Sequence, residues 1–371
     1  MKNSNCKNFN GYKPCFPYSK CYENCEKPNP RGKNILIINL DAMGAVIQTT
    51  ALLPAIKSKY PESTISWITL KNAFRLLDNN QYLDFVYEWT PENWLVLQNM
   101  EWDVVYSIDK TKRSCAFAKS LKAKQKLGFT IDKNGVIVPI NKEANYFYKL
   151  GLDDELKFKK NKKFGTEILH EAMQLKFKRD EYVFNLSAEE KVFCENYKSE
   201  VGIKKNELVV GFNTGCSILF PNKKMTISQH IFLIEKLIKE KNIKIVLLGG
   251  PEDKERNLEI SKKVGKKVIN TPCDEGVRFG ICYENICDVI VTGDSFGMHV
   301  AIGLKKFVIA WFGLSCASEI DLYDRGIKIL PEKLECSPCW KRECPYELEC
   351  IQMIDLEKII LEIKKISKKI K

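Results

Sequence analysis

The residues best equipped for chemistry in this 371-residue chain fall in a few short stretches. Gly293-Asp294-Ser295, with Gly297 and His299 just beyond, brings together a carboxylate, a hydroxyl and an imidazole. Asn213-Thr214-Gly215-Cys216 is a polar loop with Lys223 and Lys224 downstream, two ammonium groups able to neutralise a diphosphate. Gly249-Gly250-Pro251-Glu252 offers backbone that a ligand can approach closely, and a carboxylate that can accept from ribose or base. Cys336, Cys339, Cys344 and Cys350 put four thiols into fifteen residues. Each stretch also has a plainer reading. Asp-Ser before a helix serves as an N-cap, a histidine on an apolar helix is a core residue, and abundant lysines solvate a surface.

The elements around these residues favour a ligand site. Val289 to Thr292 is an apolar, β-branched run suited to a strand buried on both faces, and it leads through Gly293-Asp294-Ser295 into a helix over His299 to Leu304. That is half of a parallel crossover unit. Parallel sheets bind ligands beyond the carboxyl ends of their strands, and a helix start there presents free N–H groups to an anion. The same alternation supplies strands Leu208 to Phe212, Ile243 to Leu248, Lys267 to Asn270 and Phe307 to Phe312, after a helix around Ala188 to Glu200. Earlier, a strand begins at Ile35, turns at Asp41-Ala42-Met43-Gly44 and enters a helix from about Ala45 to Lys59 that Pro54 should kink. Strands Thr64 to Thr69, Phe85 to Glu88 and Val104 to Ile108 follow, with a helix over Ala73 to Asn79 and another over Glu167 to Leu175. The pattern predicts two doubly wound, Rossmann-like α/β domains facing each other across a cleft. The expected boundaries are a Cys-rich appendage over 1–33, a first domain over 34–185, a second over 186–354 that includes a cysteine knuckle at 336–350, and a basic amphipathic helix over 355–371.

Composition narrows the classes. No run is apolar enough to cross a membrane and the N-terminus lacks an apolar signal core, so the expected compartment is the cytoplasm. A net charge of +12 favours acidic partners, with lysine-rich surface solvation as the alternative. No aromatic-basic binding module accompanies that charge, and nucleic acid is not expected as a partner. The last segment places Ile359, Ile360, Ile363, Ile366 and Ile370 on one helical face. That face either lies on an anionic membrane surface or packs back on the protein, and packing is the favoured use. Fifteen cysteines in a cytosolic chain point to metal before disulfides. The C-terminal quartet has near-knuckle spacing and would select zinc or iron, with reduced thiols or regulatory disulfides as the alternatives. Cys6, Cys15, Cys21 and Cys25 are less regular, and either hold a second ion or pack. The scattered cysteines read as small core residues.

Taken in order, these motifs make the chain resemble family 9 glycosyltransferases, the heptosyltransferase family. The resemblance runs from about Asn34 to Ile354: ILIINLDAMGAVIQTTALLPAIKSKYP, GFNTGCSILFPNKKM, VLLGGPED, TGDSFGMHVAIGL, WFGLS and CSPCWKREC. It implies the GT-B fold and transfer of a sugar, typically heptose from ADP-heptose, to an acceptor such as lipopolysaccharide core, with the donor in the C-terminal half. By the resemblance Asp294 faces the donor sugar, Ser295 and His299 contact its diphosphate, Lys224 lies near its phosphates and Glu252 near its adenosine. Asn213, Thr214 and Gly297 complete the donor set. Helix N–H groups and lysine would stabilise the departing diphosphate, so catalysis is expected to need no metal cofactor. Related autotransporter heptosyltransferases carry a cysteine-bound iron finger, which matches the quartet at 336–350. The expected partners are a nucleotide-sugar and a glycan, lipid-linked or protein acceptor, with peripheral contact to an anionic membrane as a further option.

Two positions depart from the family pattern. The first loop of the family ends Gly-Asp, whose Asp is thought to deprotonate the acceptor, but here Ala45 follows Gly44. Asp41, four positions earlier, is the nearby carboxylate and the substitute candidate, with helix capping as its other role. Phe296 stands where the family often has Gly, which narrows the pocket or alters sugar choice. Two hypotheses follow: an inverting glycosyltransferase, or a catalytically silent nucleotide-sugar-binding relative that lost its base.

Overall fold

A computed structural model describes residues 5–17, 20–21, 25 and 28–369. The chain divides into two compact units: Met1–Ala42, Thr49–Leu152 and Thr166–Asp180 form one, and Met43–Gln48, Asp153–Gly165 and Glu181–Lys371 form the other.

The first unit is built on a six-stranded sheet. Its strands are β1 (Lys33–Ile38), β2 (Ser63–Thr69), β3 (Phe85–Glu88), β4 (Glu101–Ser107), β5 (Lys122–Ile131) and β6 (Ile137–Pro139), in the order β3-β2-β1-β4-β5-β6. All neighbours run parallel except β6, which is antiparallel to β5. Ile35 to Ile38 are fully buried, as an unbroken β-branched run at the centre of a covered parallel sheet requires. Leu36, Ile38, Ile68, Trp102, Val105 and Phe117 form the core on one side. The helix expected over Ala45 to Lys59 is two helices, Met43–Thr49 and Leu52–Lys59. The break precedes Pro54, which sits in the first turn of the second helix, where a missing N–H leaves no bond unmade. The N-terminal stretch is tied to this unit. Cys6 pairs with Pro30 in an antiparallel bridge, and Lys7 Nζ reaches Asp84 Oδ1 (2.8 Å) and the Ser63 carbonyl (3.1 Å).

The second unit carries an all-parallel sheet of β7 (Leu208–Asn213), β8 (Ile243–Leu248), β9 (Val268–Asn270), β10 (Val289–Gly293), β11 (Phe307–Trp311) and β12 (Gly326–Ile329), in the order β12-β11-β10-β7-β8-β9. The central pair, β10 and β7, holds register Val289 to Val210 through Thr292 to Asn213, so Asp294 and Thr214 leave the sheet side by side. The helix Ala188–Glu200 spans the residues the sequence predicts and starts with a capping box, Ser187 and Glu190 exchanging bonds. The C-terminal helix Leu356–Ser367 buries Ile359, Ile360 and Ile363 in the same core as Leu233, Leu237 and Phe212. Its apolar face is therefore occupied by packing; Ile370 lies outside the described residues. No helix among the described residues is long and apolar enough to cross a membrane.

Candidate active site

The carboxyl edge of β10 gathers the charged groups. Asp294 leaves the strand end and its Oδ2 accepts from Lys223 Nζ at 2.8 Å, in a pair whose side chains are only 14% and 12% exposed. Burial pushes the Asp294 carboxyl up, but Lys223, His299 and the Ser315 hydroxyl hold it below its ordinary value. It is therefore ionised at neutral pH. His299, on the helix Phe296–Gly303, is half-buried, and desolvation drives it down to about 4 despite the Asp294 charge, so its imidazole is neutral. The Tyr182 hydroxyl lies 3.4 Å from His299 Nδ1, the two rings are stacked at 6.0 Å, and Gly44 backs the imidazole so closely that a Cβ there would sit 2.6 Å from Cδ2. The other two histidines are core residues. His170 and His230 each face the carbonyl four residues back, Thr166 and Thr226, at 2.7 and 3.0 Å.

Ser295 stands at the N-cap of that helix but makes no capping bond. Its Oγ accepts from Asn213 Nδ2 at 2.9 Å and lies 3.2 Å from Thr292 Oγ1. Asn213 is thus a strut between the ends of β7 and β10, and Gly297 is glycine because a Cβ would meet Asn213 Nδ2 at 2.2 Å. The helix's first N–H groups are left for another acceptor. Thr214 turns inward, its hydroxyl donating to Asn257 Oδ1 at 2.5 Å.

Lys224 is engaged elsewhere. Its Nζ lies 3.0 Å from Asp253 Oδ1, a carboxylate that is 3% exposed and whose Oδ2 accepts from the Gly250 N–H at 3.1 Å. Gly215 cannot be replaced without colliding with the same carboxylate, 1.8 Å from a built Cβ. Lys224 therefore closes the Gly249-Gly250 turn onto the β7 loop, while Lys223 is the lysine at Asp294. Glu252, one residue before Asp253, is exposed.

In the first unit, Asp41 follows the end of β1 and its Oδ2 pairs with Arg113 Nη2 at 2.6 Å. Behind it lies Asp109, just past β4 and 6% exposed, whose oxygens accept from Asn39 Nδ2 and the Leu40 N–H, each at 2.5 Å. Burial raises the Asp109 carboxyl to about 7 against those two donors, with the Asp41 charge adding and Arg113 opposing.

The family model for glycosyltransferase family 9 (heptosyltransferase) matches residues 94–349, more than half of the chain and the whole β10 edge. The chain belongs to glycosyltransferase family 9. A lipooligosaccharide heptosyltransferase 2 of Campylobacter jejuni is 30% identical over 116 residues, which is 31% of this chain and 34% of that protein. The chain thus matches about a third of the length of its curated relatives. Among solved structures, a family 9 glycosyltransferase from Veillonella parvula superposes with a TM-score of 0.70 at 16% identity, covering 91% of this chain and 98% of that one. The E. coli ADP-heptose LPS heptosyltransferase II gives 0.68 at 17% identity, covering 91% and 99%. An iron-containing dodecameric glycosyltransferase from enterotoxigenic E. coli gives 0.53 at 11%, covering 91% and 77%. These likenesses establish a GT-B architecture of two parallel-sheet domains.

In this family 9 chain Cys336, Cys339, Cys344 and Cys350 are free thiols. Burial and the other three thiols raise Cys350 to about 11, and burial with Cys339, Glu349 and Cys344 raises Cys336, so the quartet shares one neighbourhood. Among the described residues, no three His, Cys, Asp or Glu side chains converge closely enough to hold an ion. The sequence reading missed Asp109, Tyr182 and Ser315 altogether. Asp109 had a signal, since a lone Asp two residues past a buried strand, VVYSID, stands at the same sheet edge as Asp41. Tyr182 and Ser315 sit in irregular segments with no periodicity to mark them.

Proposed function

We propose that this chain is an inverting glycosyltransferase that moves a sugar, heptose before others, from an ADP-sugar or similar nucleotide-sugar to a glycan, lipid-linked or protein acceptor of the cell envelope. The observation that carries this reading is the buried Lys223–Asp294 pair beside a neutral His299 at the carboxyl edge of β10. Solved relatives in complex with ADP or ADP-heptose support the donor class.

In the transfer step, the acceptor oxygen attacks the anomeric carbon from the face opposite the leaving phosphate oxygen. The new C–O bond forms as the old one breaks, the bonding pair leaves with ADP, and configuration inverts. Charge grows on the departing diphosphate. Lys223 and the uncapped N–H groups opening Phe296–Gly303 are suited to meet it, so the step needs no metal ion. Asp294 is ionised, so it orients and balances charge and does not donate a proton. The acceptor's proton needs a base, and Asp41, paired with Arg113, is our candidate. Lys224, Thr214 and Asn213 then shape the loops around the donor, and Glu252 is free to meet its adenosine.

One observation favours a second reading. Ala45 removes the family's carboxylate, and Asp41 is already committed to Arg113, so a silent nucleotide-sugar-binding protein is the alternative. Incubation with ADP-sugars, following both melting temperature and ADP release, separates the two. Stabilisation with turnover supports the transferase, stabilisation alone the silent relative, and neither contradicts the donor site.

The thiols at 336–350 carry a separate proposal: Cys336, Cys339, Cys344 and Cys350 hold one structural zinc or iron ion with no part in the transfer. Four soft donors within fifteen residues support it, as does the iron-containing E. coli dodecamer; the thiols would have to draw together on binding, since no three of them converge here among the described residues.

A further inference from the structure

The segment that carries the C-terminal thiols also delivers an aromatic ring to the β10 edge. Trp340 sits at φ 52°, in the left-handed region that a bulky residue adopts only when its surroundings impose it. Four hydrogen bonds impose it here. The N–H groups of Cys339 and Trp340 both donate to the Leu314 carbonyl, at 3.1 and 2.8 Å. The Ser337 hydroxyl donates to the Gly313 carbonyl at 2.5 Å, and Asn222 Nδ2 donates to the Arg342 carbonyl at 2.9 Å. So the loop is fastened on both sides to the strand-end segments that hold Ser315 and Lys223.

The ring it presents is shared by two cations. Lys223 Nζ lies 4.6 Å from the indole centroid and Lys157 Nζ 4.8 Å, while Phe220 packs against the same ring at 5.1 Å. An indole face attracts one ammonium well, but two on one ring repel each other. Lys223 has Asp294 to balance it, whereas Lys157 has no carboxylate within ion-pair distance among the described residues. Its charge nonetheless reaches the site, since it acts on the Cys316 thiol together with Asp294. An anion lying between the two lysines would resolve this imbalance.

We infer that Lys157 is a second cation for the anionic diphosphate of the donor, and that Trp340 is the positioning residue that holds it beside Lys223. This rests on the reading of the β10 edge as a nucleotide-sugar site. Lys157 comes from the short helical turn Leu156–Lys160 in the lysine-rich stretch between the two halves of the sequence, where no motif marks it. Trp340 lies inside a cysteine pattern, where it reads as part of the knuckle.

Calorimetric titration of ADP, inorganic pyrophosphate and adenosine into the full chain tests the assignment. Lys157→Gln should weaken ADP and pyrophosphate about tenfold at low salt and less at high salt, leaving adenosine binding and the melting temperature unchanged. Trp340→Ala should weaken the same two ligands, and Trp340→Phe should restore most of the loss, a rescue that a purely structural contact of the loop would not tie to phosphate. Lys159→Gln, exposed on the same turn, is the control and should behave as wild type. If wild type binds ADP and Lys157→Gln binds it equally, the inference is wrong and the site reading stands. If wild type binds neither ADP nor pyrophosphate, the site reading fails and takes the inference with it.

Discussion

The two sheets present similar edges with opposite electrostatics. At the end of β10, Asp294 meets an ammonium at 2.8 Å and is held ionised, with a neutral imidazole next to it. At the ends of β1 and β4, Asp109 is buried with no cation within ion-pair distance among the described residues and is raised to about 7, while Asp41 takes the guanidinium of Arg113. Both edges stand beyond parallel strands, so topology alone does not separate them. What differs is where the cation sits. The first arrangement fixes charge in place, as stabilising a departing diphosphate demands. The second leaves a carboxylate near neutrality, as proton acceptance demands.

The comparison is most exposed at Lys223. Lys223→Met strands the buried Asp294 charge, and should cost about 3–5 kcal/mol of stability together with roughly 10²- to 10³-fold in turnover. Urea melts and ADP release measure both. Adding Asp294→Asn to that variant should recover most of the stability and none of the turnover. Recovery of turnover would mean that the pair is structural only.

Asp41→Asn comes next. As the base, Asp41 should cost about 10²-fold or more in rate, while its half-exposed pair with Arg113 is worth at most ~1 kcal/mol. An unchanged rate would remove Asp41 from the mechanism and turn attention to Asp109→Asn. Ala45→Asp sharpens the point, since restoring the family carboxylate should raise the rate of a weak enzyme and awaken a silent one.

Asp109 itself predicts a pH slope. Its folded carboxyl is raised from 3.8 to about 7, so the folded chain holds the proton more tightly than the unfolded chain. That contribution is fully present below the unfolded value and is lost as pH rises through about 7. Between about pH 5.5 and about pH 8 wild type should lose ~2 kcal/mol relative to Asp109→Asn, read from paired denaturation curves. Curves that stay parallel would show that Asp109 is ionised throughout.

The smallest effect concerns His299. With its folded value depressed to about 4, it adds stability that is present above about 6.5 and disappears as pH falls through about 4. Imidazole resonances followed by NMR should show no titration of His299 between about pH 6 and about pH 8. A midpoint in that range would place a charged imidazole beside Asp294.

Much of this was legible in the residues. The β-branched runs at Ile35, Leu208, Ile243 and Val289 read as buried strands because a parallel sheet covered on both faces needs continuous apolar side chains. Asp294, Ser295, His299 and Asn213 followed from lying at strand ends. β5, β6 and β12 were missed: KAKQKLGFTI interleaves lysines at a half-exposed position, IVP is three residues long and GIKI four. The resemblance put Lys224 at the phosphates, but adjacent lysines differ only in which carboxylate folding brings to them, and here Lys223 reaches Asp294 while Lys224 reaches Asp253. Ser295 looked like a cap, and only Asn213, distant in the chain, draws its hydroxyl away. Asp109, Tyr182 and Trp340 act through partners separated from them by long stretches of chain, which no local pattern records.

Donor binding at the edge of β10 is where the proposed mechanism stands or falls. Titration calorimetry of ADP-heptose into wild type and Asp294→Asn is the direct test. Saturable one-to-one binding by wild type, weakened about tenfold or more in a variant that melts at nearly the same temperature, is the predicted result. No binding of ADP-heptose or any other nucleotide-sugar by folded wild type, or equal binding by Asp294→Asn, would contradict it.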